Sequence, residues 1–213
     1  MDLFGLDFGT TNSAISTYLD GEVRVLEIEN INNAPKKTIR SAIFFGVEGG
    51  VFVGEDAINR YIEDYGSGRL LCSVKTLLSS EVFDSTVING KSYRADDLSA
   101  VILREVKKRA ETIMRRPVDG VVLGRPVRFS SKTEVDKMAE DRLLSAARKA
   151  GFKFVQLQFE PVAAAMVFEE TLQTDKEEVI LVCDFGGGTT DITIMKLGRY
   201  LHGKSDRRGD ILG

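Results

Sequence analysis

Two short runs near opposite ends of the chain carry the residue types that phosphate chemistry uses. Asp7-Phe8-Gly9-Thr10-Thr11 and Asp184-Phe185-Gly186-Gly187-Gly188-Thr189-Thr190 repeat one order of residues: a carboxylate, an aromatic ring, glycine, then paired hydroxyls. Glycine lets the backbone approach an anion closely, and a tight turn can aim several amides at one phosphate. The threonine hydroxyls add donors. Each aspartate, at the end of an apolar run, is placed to hold a hydrated Mg²⁺ or to orient a water. One such run alone is explained as well by an ordinary glycine-rich hairpin; the same order twice favours a shared purpose. Two such turns facing each other would clamp a polyphosphate from both sides, and phosphoryl transfer needs little beyond positioning and charge neutralisation.

Other phosphate-binding classes fit less well. Asp-Phe-Gly also occurs in protein kinases, but no Gly-rich loop with a paired lysine and no His-Arg-Asp loop accompanies it here. The P-loop pattern Gly-x-x-x-x-Gly-Lys-Ser/Thr is absent too.

These turns need strands to hold them. Apolar runs at 3–7, 12–18 and 23–28, punctuated by Gly9-Thr10 and Asp20-Gly21, predict a three-stranded meander. The region 40–117 has strands and helices of its own. Its clearest element is a helix over 97–115, with Leu98, Val101, Ile102, Val106, Arg109 and Ile113 at helical spacing and Pro117 beyond it. A β-α-β-α-β pattern follows. Strands at 121–123 and 154–159 bracket a helix over 131–150, opened by a capping box from Ser131 to Glu134 and closed by Gly151. Its buried stripe is Val135, Met138, Ala139, Leu143, Ala146, Ala147 and Ala150. A short helix over 161–170 starts with proline. The strands 179–184 and 191–197 flank the second glycine-rich turn, and their apolar residues on both sides suit a strand pair buried on both faces. The tail Lys204-Ser205-Asp206-Arg207-Arg208-Gly209 reads as a flexible, solvated turn. Strands alternating with helices give an α/β sheet led in by an antiparallel hairpin.

At this point a family can be named by resemblance. The run from Gly5 to Ser13 resembles the first phosphate motif of Hsp70 chaperones and their actin-like relatives, and the run from Asp184 to Asp191 resembles the second. Glu160-Pro161-Val162-Ala163-Ala164-Ala165 looks like the motif that crosses between the two lobes, and Gly209-Asp210-Ile211-Leu212-Gly213 is similar to the loop that follows. Two departures mark a divergent, bacterial type. Thr190 stands where Hsp70s usually carry an aromatic residue, and actin-like filament proteins also have threonine there. The segment Gly124-Arg125-Pro126-Val127-Arg128-Phe129 keeps only the proline and phenylalanine of the usual pattern.

The resemblance implies an actin-like (ribonuclease H-like) α/β ATPase fold, a mixed sheet flanked by helices, with ATP or ADP between two lobes. It implies a core subdomain over 1–39 and 118–175, an inserted smaller subdomain over 40–117, and the start of a second lobe over 176–213. By motif position Asp7 and Asp184 would hold Mg²⁺ through water. Gly9, Thr10, Thr11, Asn12, Gly186, Gly187, Gly188, Thr189 and Thr190 would cradle the phosphates. Asp191 and Glu160 would stand near the attacking water, Glu160 also capping the helix behind it, and Lys75 would reach the γ-phosphate. The adenosine-binding motif and the peptide-binding domain of Hsp70s lie further along than residue 213, so the chain by itself is expected to bind nucleotide weakly or be inactive. Co-chaperones and client peptides would be partners of those later regions. Two alternatives use the same residues: an actin-like filament protein, and a non-enzymatic interaction module. The apolar hairpin over 179–197 is expected to pack on another copy or against the first lobe.

Composition bounds these readings. The 213 residues, 43% hydrophobic, can bury one large core or two small ones. A net charge of -3 argues against non-specific nucleic-acid binding. His202 is the single histidine, and Cys72 and Cys183 have no metal or redox spacing, as in a reducing compartment. No run approaches the roughly 20 apolar residues that span a bilayer, and the start at Met1-Asp2 lacks the basic flank of a signal peptide. The expectation is a cytoplasmic protein with neither membrane nor nucleic-acid partners.

Overall fold

The computed structural model of the chain describes residues 2–172, 176–198, 201, 204 and 206–213; His202 lies outside them. The amino-terminal run forms β1 (Leu3–Phe8), β2 (Asn12–Leu19) and β3 (Glu22–Val25) as the expected antiparallel meander. Alternation sorts its side chains: Phe4, Leu6, Phe8 and Ile15 are buried on one face, while Gly5, Asp7 and Ser16 lie on the other. The third strand stops at Val25, but Leu26 and Ile28 stay buried, and the Leu26 amide donates to the Ile15 carbonyl at 2.9 Å.

Short strands β4 (Glu29–Ile31), β5 (Ala34–Lys36) and β6 (Ile39–Arg40) lead out of the meander, the last pairing with β2. Next come β7 (Ala42–Phe45), β8 (Val51–Val53), α1 (Glu55–Glu63) and β9 (Arg69–Cys72), the three strands forming a small sheet centred on β7. A 3-10 turn, Val74–Ser79, carries Lys75, and the hairpin β10 (Ser85–Ile88) and β11 (Lys91–Arg94) feeds α2 (Ala95–Met114). That helix starts before the expected position 97 because the Asp97 carboxylate reaches back to the Arg94 amide at 2.9 Å, the N-terminal half of a capping box. Leu98, Ile102 and Val106 are buried, whereas Ile113, near its end, is exposed.

The chain then re-enters the first sheet through β12 (Gly120–Arg125), α3 (Thr133–Ala150) and β13 (Phe154–Phe159), followed by α4 (Glu160–Glu169). β12 runs parallel to β1 and to β13, which gives the mixed order β13-β12-β1-β2-β3. Helices α2 and α3 pack together over one face, closing the main core around Phe4, Leu6, Ile15, Leu103, Leu123 and Leu143. Gly151, at φ 98°, ends α3 as expected. Its expected capping box does not form: α3 begins at Thr133 without a side-chain cap. The first-turn carboxylate of Asp136 is drawn instead to the Phe129 amide, 2.6 Å, and to the Arg125 guanidinium.

β14 (Glu178–Phe185) and β15 (Thr190–Leu197) form a separate two-stranded ribbon. It is not buried on both faces. Met195 and Leu197 pack with Val162 and Ala165 of α4, but Val179 and Ile192 on the opposite face are each 60% exposed, since two strands and one helix offer only one layer of cover. The tail also departs from expectation. Arg207 is buried, with a bidentate bond to Glu169 of α4, both contacts 2.9 Å, and a further bond to Asp210. Among the described residues no helix is long and apolar enough to cross a membrane.

Candidate functional site

The turn after β1 is held from below by a hydroxyl relay. Ser41 Oγ donates to the Gly9 carbonyl at 2.7 Å and shares a 2.9 Å bond with Ser13 Oγ, while the Ser41 amide donates to the Thr11 carbonyl. No short motif announces Ser41, because its partners lie 28 and 32 positions earlier. The turn after β14 closes on itself, the Gly186 amide donating to the Thr189 carbonyl at 2.9 Å. Thr10, Gly187 and Gly188 lie outside the strands, and among the described residues their amides have no backbone acceptor. They remain available to an anion.

The two turns meet tip to tip. A methyl group added to Gly187 would collide with the Thr11 side chain, and one added to Gly188 would stand 2.9 Å from Thr10 Cγ2. Only glycine permits this approach. Asp7, Gly9, Thr10, Thr11, Asn12, Lys75, Glu160, Asp184, Gly186, Gly187, Thr189 and Asp191 line a single cavity of about 240 Å³. Of the other candidates, Gly188 abuts it through Thr10, while Thr190 is drawn into β15 opposite Phe185 and stays outside the lining.

The floor of the cavity is an ion pair. Lys75 Nζ donates to Glu160 Oε1 at 2.8 Å, and the two side chains are only 12% and 18% exposed. Lys75 comes from the 3-10 turn and Glu160 from the first residue of α4, so two elements distant in sequence converge here. Glu160 makes no side-chain cap for α4; its carboxylate is committed to Lys75. Gly124 lies beneath it, with room for a methyl only 3.0 Å from Glu160 Cγ.

Four carboxylates, of Asp7, Glu160, Asp184 and Asp191, face this one lysine. Asp7 keeps solvent access at the mouth of the cleft, but enclosure on its other sides pushes its carboxyl above the usual range. Lys75 draws it down and the nearby Asp184 pushes it further up. Glu160 behaves alike: burial raises it, Lys75 opposes, and Asp7 and Asp191 add repulsion. Among the described residues no three carboxylate, histidine or cysteine groups lie close enough to ligate one metal ion directly. Beyond this cavity, Asp7, Glu160 and Asp184 also border a larger, mainly apolar cavity of about 520 Å³ between α4 and the face of the sheet opposite α2 and α3. Pro126 and Arg128 line neighbouring space; sequence reading marked their segment as divergent without giving them a role.

Comparison with known proteins accounts for this arrangement. The family model described as "Hsp70 protein" matches residues 67–204. The chaperone protein DnaK of Mycoplasmopsis agalactiae is 33% identical over 195 residues, covering 92% of this chain and 30% of that protein. The DnaK proteins of Nitrosopumilus maritimus and Cenarchaeum symbiosum are 31% and 29% identical, again over 92% of this chain. The chain thus spans 28–30% of the length of these relatives. A mixed sheet flanked by helices, with the first turn at the end of its β1 strand and the second on the neighbouring β14–β15 ribbon, is the actin-like ATPase lobe that the motifs imply. With most of its length matched by that family model, the chain belongs to the Hsp70 family.

Proposed function

We propose that the two turns grip the phosphates of ATP or ADP together with a hydrated Mg²⁺, making this chain the phosphate-binding part of a chaperone ATPase. The observation that carries the reading is the tip-to-tip meeting of two like turns over the Lys75–Glu160 pair. An excess of carboxylates over cations, with none of them grouped for direct ligation, suits an ion that retains its water and binds through one or two carboxylates and the phosphates. In this reading Asp7 and Asp184 hold that ion through water, and when bound it neutralises phosphate charge. The amides of Thr10, Gly187 and Gly188 and the hydroxyls of Thr10, Thr11 and Thr189 position the phosphates, while Gly9, Asn12, Gly186 and Thr190 shape the turns that present them. Glu160 and Asp191 accept hydrogen bonds from the attacking water. Lys75, released in part from Glu160, reaches the terminal phosphate. We take residues 1–39 and 118–175 as the core subdomain, 40–117 as an insertion and 176–213 as belonging to a second lobe. Co-chaperones and client peptides are assigned to regions of the longer relatives that this chain does not match.

Titration calorimetry with Mg-ATP tests the reading. Wild-type chain is expected to bind weakly but measurably, and Asp7→Asn and Asp184→Asn are each expected to weaken binding about 10-fold or more, the size of one lost charge-assisted contact. Equal affinity in all three proteins would refute it, as would no binding by wild type. A second reading, self-association, is favoured by one observation, the exposed apolar face of the β14–β15 ribbon.

A further inference from the structure

From the geometry beside the two turns we infer that Arg128 is a second phosphate-binding cation, one that distinguishes a triphosphate from a diphosphate; the inference rests on the nucleotide reading above. Arg128 projects into a cavity of about 150 Å³ whose walls include Thr10, Lys75, Thr189 and Asp191. It also borders the adjoining space next to Glu160, Asp184 and Asp191. Lys75 is already committed to Glu160. The Arg128 guanidinium is exposed and, among the described residues, has no hydrogen-bond or ion-pair partner. An unpartnered cation facing several carboxylates across a small cavity is available for an incoming anion. Its five donors in a planar fork match phosphate oxygens better than an ammonium does.

The backbone that carries Arg128 is fixed on both sides, as a binding residue requires. Arg125, buried between the Phe129 and Phe159 rings at 5.2 and 5.4 Å, turns back along its own chain. Its Nε donates to the Pro126 carbonyl at 3.0 Å and its Nη2 to the Val127 carbonyl at 3.3 Å. Asp136 and Glu140 of α3 hold the same guanidinium, and Asp136 accepts the Phe129 amide. Residues 126, 127 and 129 are thus clamped, while the side chain between them is left free at the cleft. A purely solvated arginine would not need such a mount.

The cavity lies on the Lys75 and Thr189 side of the turns, where the terminal phosphate sits in the proposed arrangement. Loss of Arg128 is therefore expected to weaken ATP selectively. Affinities of Mg-ATP and Mg-ADP for wild type, Arg128→Gln and Arg128→Lys provide the test. Arg128→Gln is expected to weaken ATP about 10- to 100-fold and ADP by less than about threefold, as screening limits a cation to its near neighbours. Arg128→Lys is expected to fall between, keeping charge without the fork. The melting temperature of Arg128→Gln without nucleotide is expected to match wild type, as at most exposed sites. Equal loss of ATP and ADP, or no loss of ATP, overturns the role of Arg128 and leaves the nucleotide reading standing. Failure of wild type to bind either nucleotide overturns both.

Discussion

Asp7 stands where the costs and uses of the cleft meet. Its carboxyl is raised first by lost solvation and then by Asp184, and only partly relieved by Lys75. A folded-state value above the ordinary 3.8 means that the folded chain holds this proton more tightly than the unfolded chain does. The contribution to stability is therefore favourable in acid and is lost as pH rises through the folded value. Glu160 titrates with the same sign, from an ordinary 4.5. Asp7→Asn, a neutral isostere, is expected to melt higher than wild type at pH 7 without nucleotide, the gap closing as pH falls toward about 4. Calorimetric melting across that range checks it; a variant that melts lower than wild type at pH 7 contradicts the cause assigned to the shift. The residues of the two turns were legible because one pattern occurs twice in the chain. Lys75 and Glu160 were each marked only by resemblance, and their ion pair was not legible, since the two lie 85 positions apart and no local periodicity joins them. Ser41 and Arg128 were not legible as site residues, because nothing local connects a serine or an arginine to turns that reach it only through the fold.

At the scale of elements, one buried acid joins three pieces of chain. Glu29 of β4 accepts from the Glu55 amide at the start of α1, 3.2 Å, from the Asn30 amide, 3.1 Å, and from Arg109 of α2, 2.6 Å. Arg109 also bonds the Ile28 carbonyl and Glu105. Helical spacing marks Arg109 as part of the inward face of α2, and an aliphatic stem along that edge is the plain expectation; the tertiary structure adds a charged anchor that spacing cannot reveal. Removing one partner leaves the other charge buried and an α1 amide unpaired. Because Arg109 keeps Glu105 and the Ile28 carbonyl, Glu29→Ala is expected to cost about 1–3 kcal/mol, lowering Tm by roughly 5 °C in a chain of this size. A loss under about 1 kcal/mol by urea titration would mean that water replaces the carboxylate readily. The capping box expected on α3 fails for a related reason. Ser131 and Glu134 have the right spacing, but the Arg125 and Phe129 loop claims Asp136 and sets where the helix begins. Periodicity therefore located α2, α3, α4, the strands of the first sheet and the ribbon, but not α1 or the short strands between 29 and 94, while the ends of α2 and α3 were settled by side-chain contacts.

For the whole molecule the governing fact is uneven cover. The first sheet has α2 and α3 over one face, whereas the β14–β15 ribbon has only α4. The ribbon is fastened to that helix by more than apolar contact. Arg207 and Glu169 are each 1% exposed, Glu169 also accepts the Gly198 amide, and Ile211 bridges to Met195. The other face leaves Val179, Leu181, Ile192 and Ile194 in water, neighbours across the two strands by register. A ribbon so anchored cannot turn that face inward without breaking the buried Arg207–Glu169 pair. The apolar patch is then relieved most readily by another surface, as exposed patches on soluble proteins commonly are, and the outer edge of β14, unlike that of β15, which residues 211–213 cover, adds unpaired backbone groups. Sedimentation velocity of this chain is expected to show reversible association that grows with concentration. Leu181→Lys with Ile192→Lys is expected to weaken that association at least about 10-fold, since burying each such side chain is worth about 1.5–3 kcal/mol. Ile192 adjoins Asp191 and borders the space beside Glu160 and Asp184, so nucleotide affinity is read instead on Val179→Lys with Leu181→Lys, further from the turn, which is expected to retain wild-type affinity for Mg-ATP. A wild-type chain that stays monomeric at all accessible concentrations would show that two strands and one helix are cover enough.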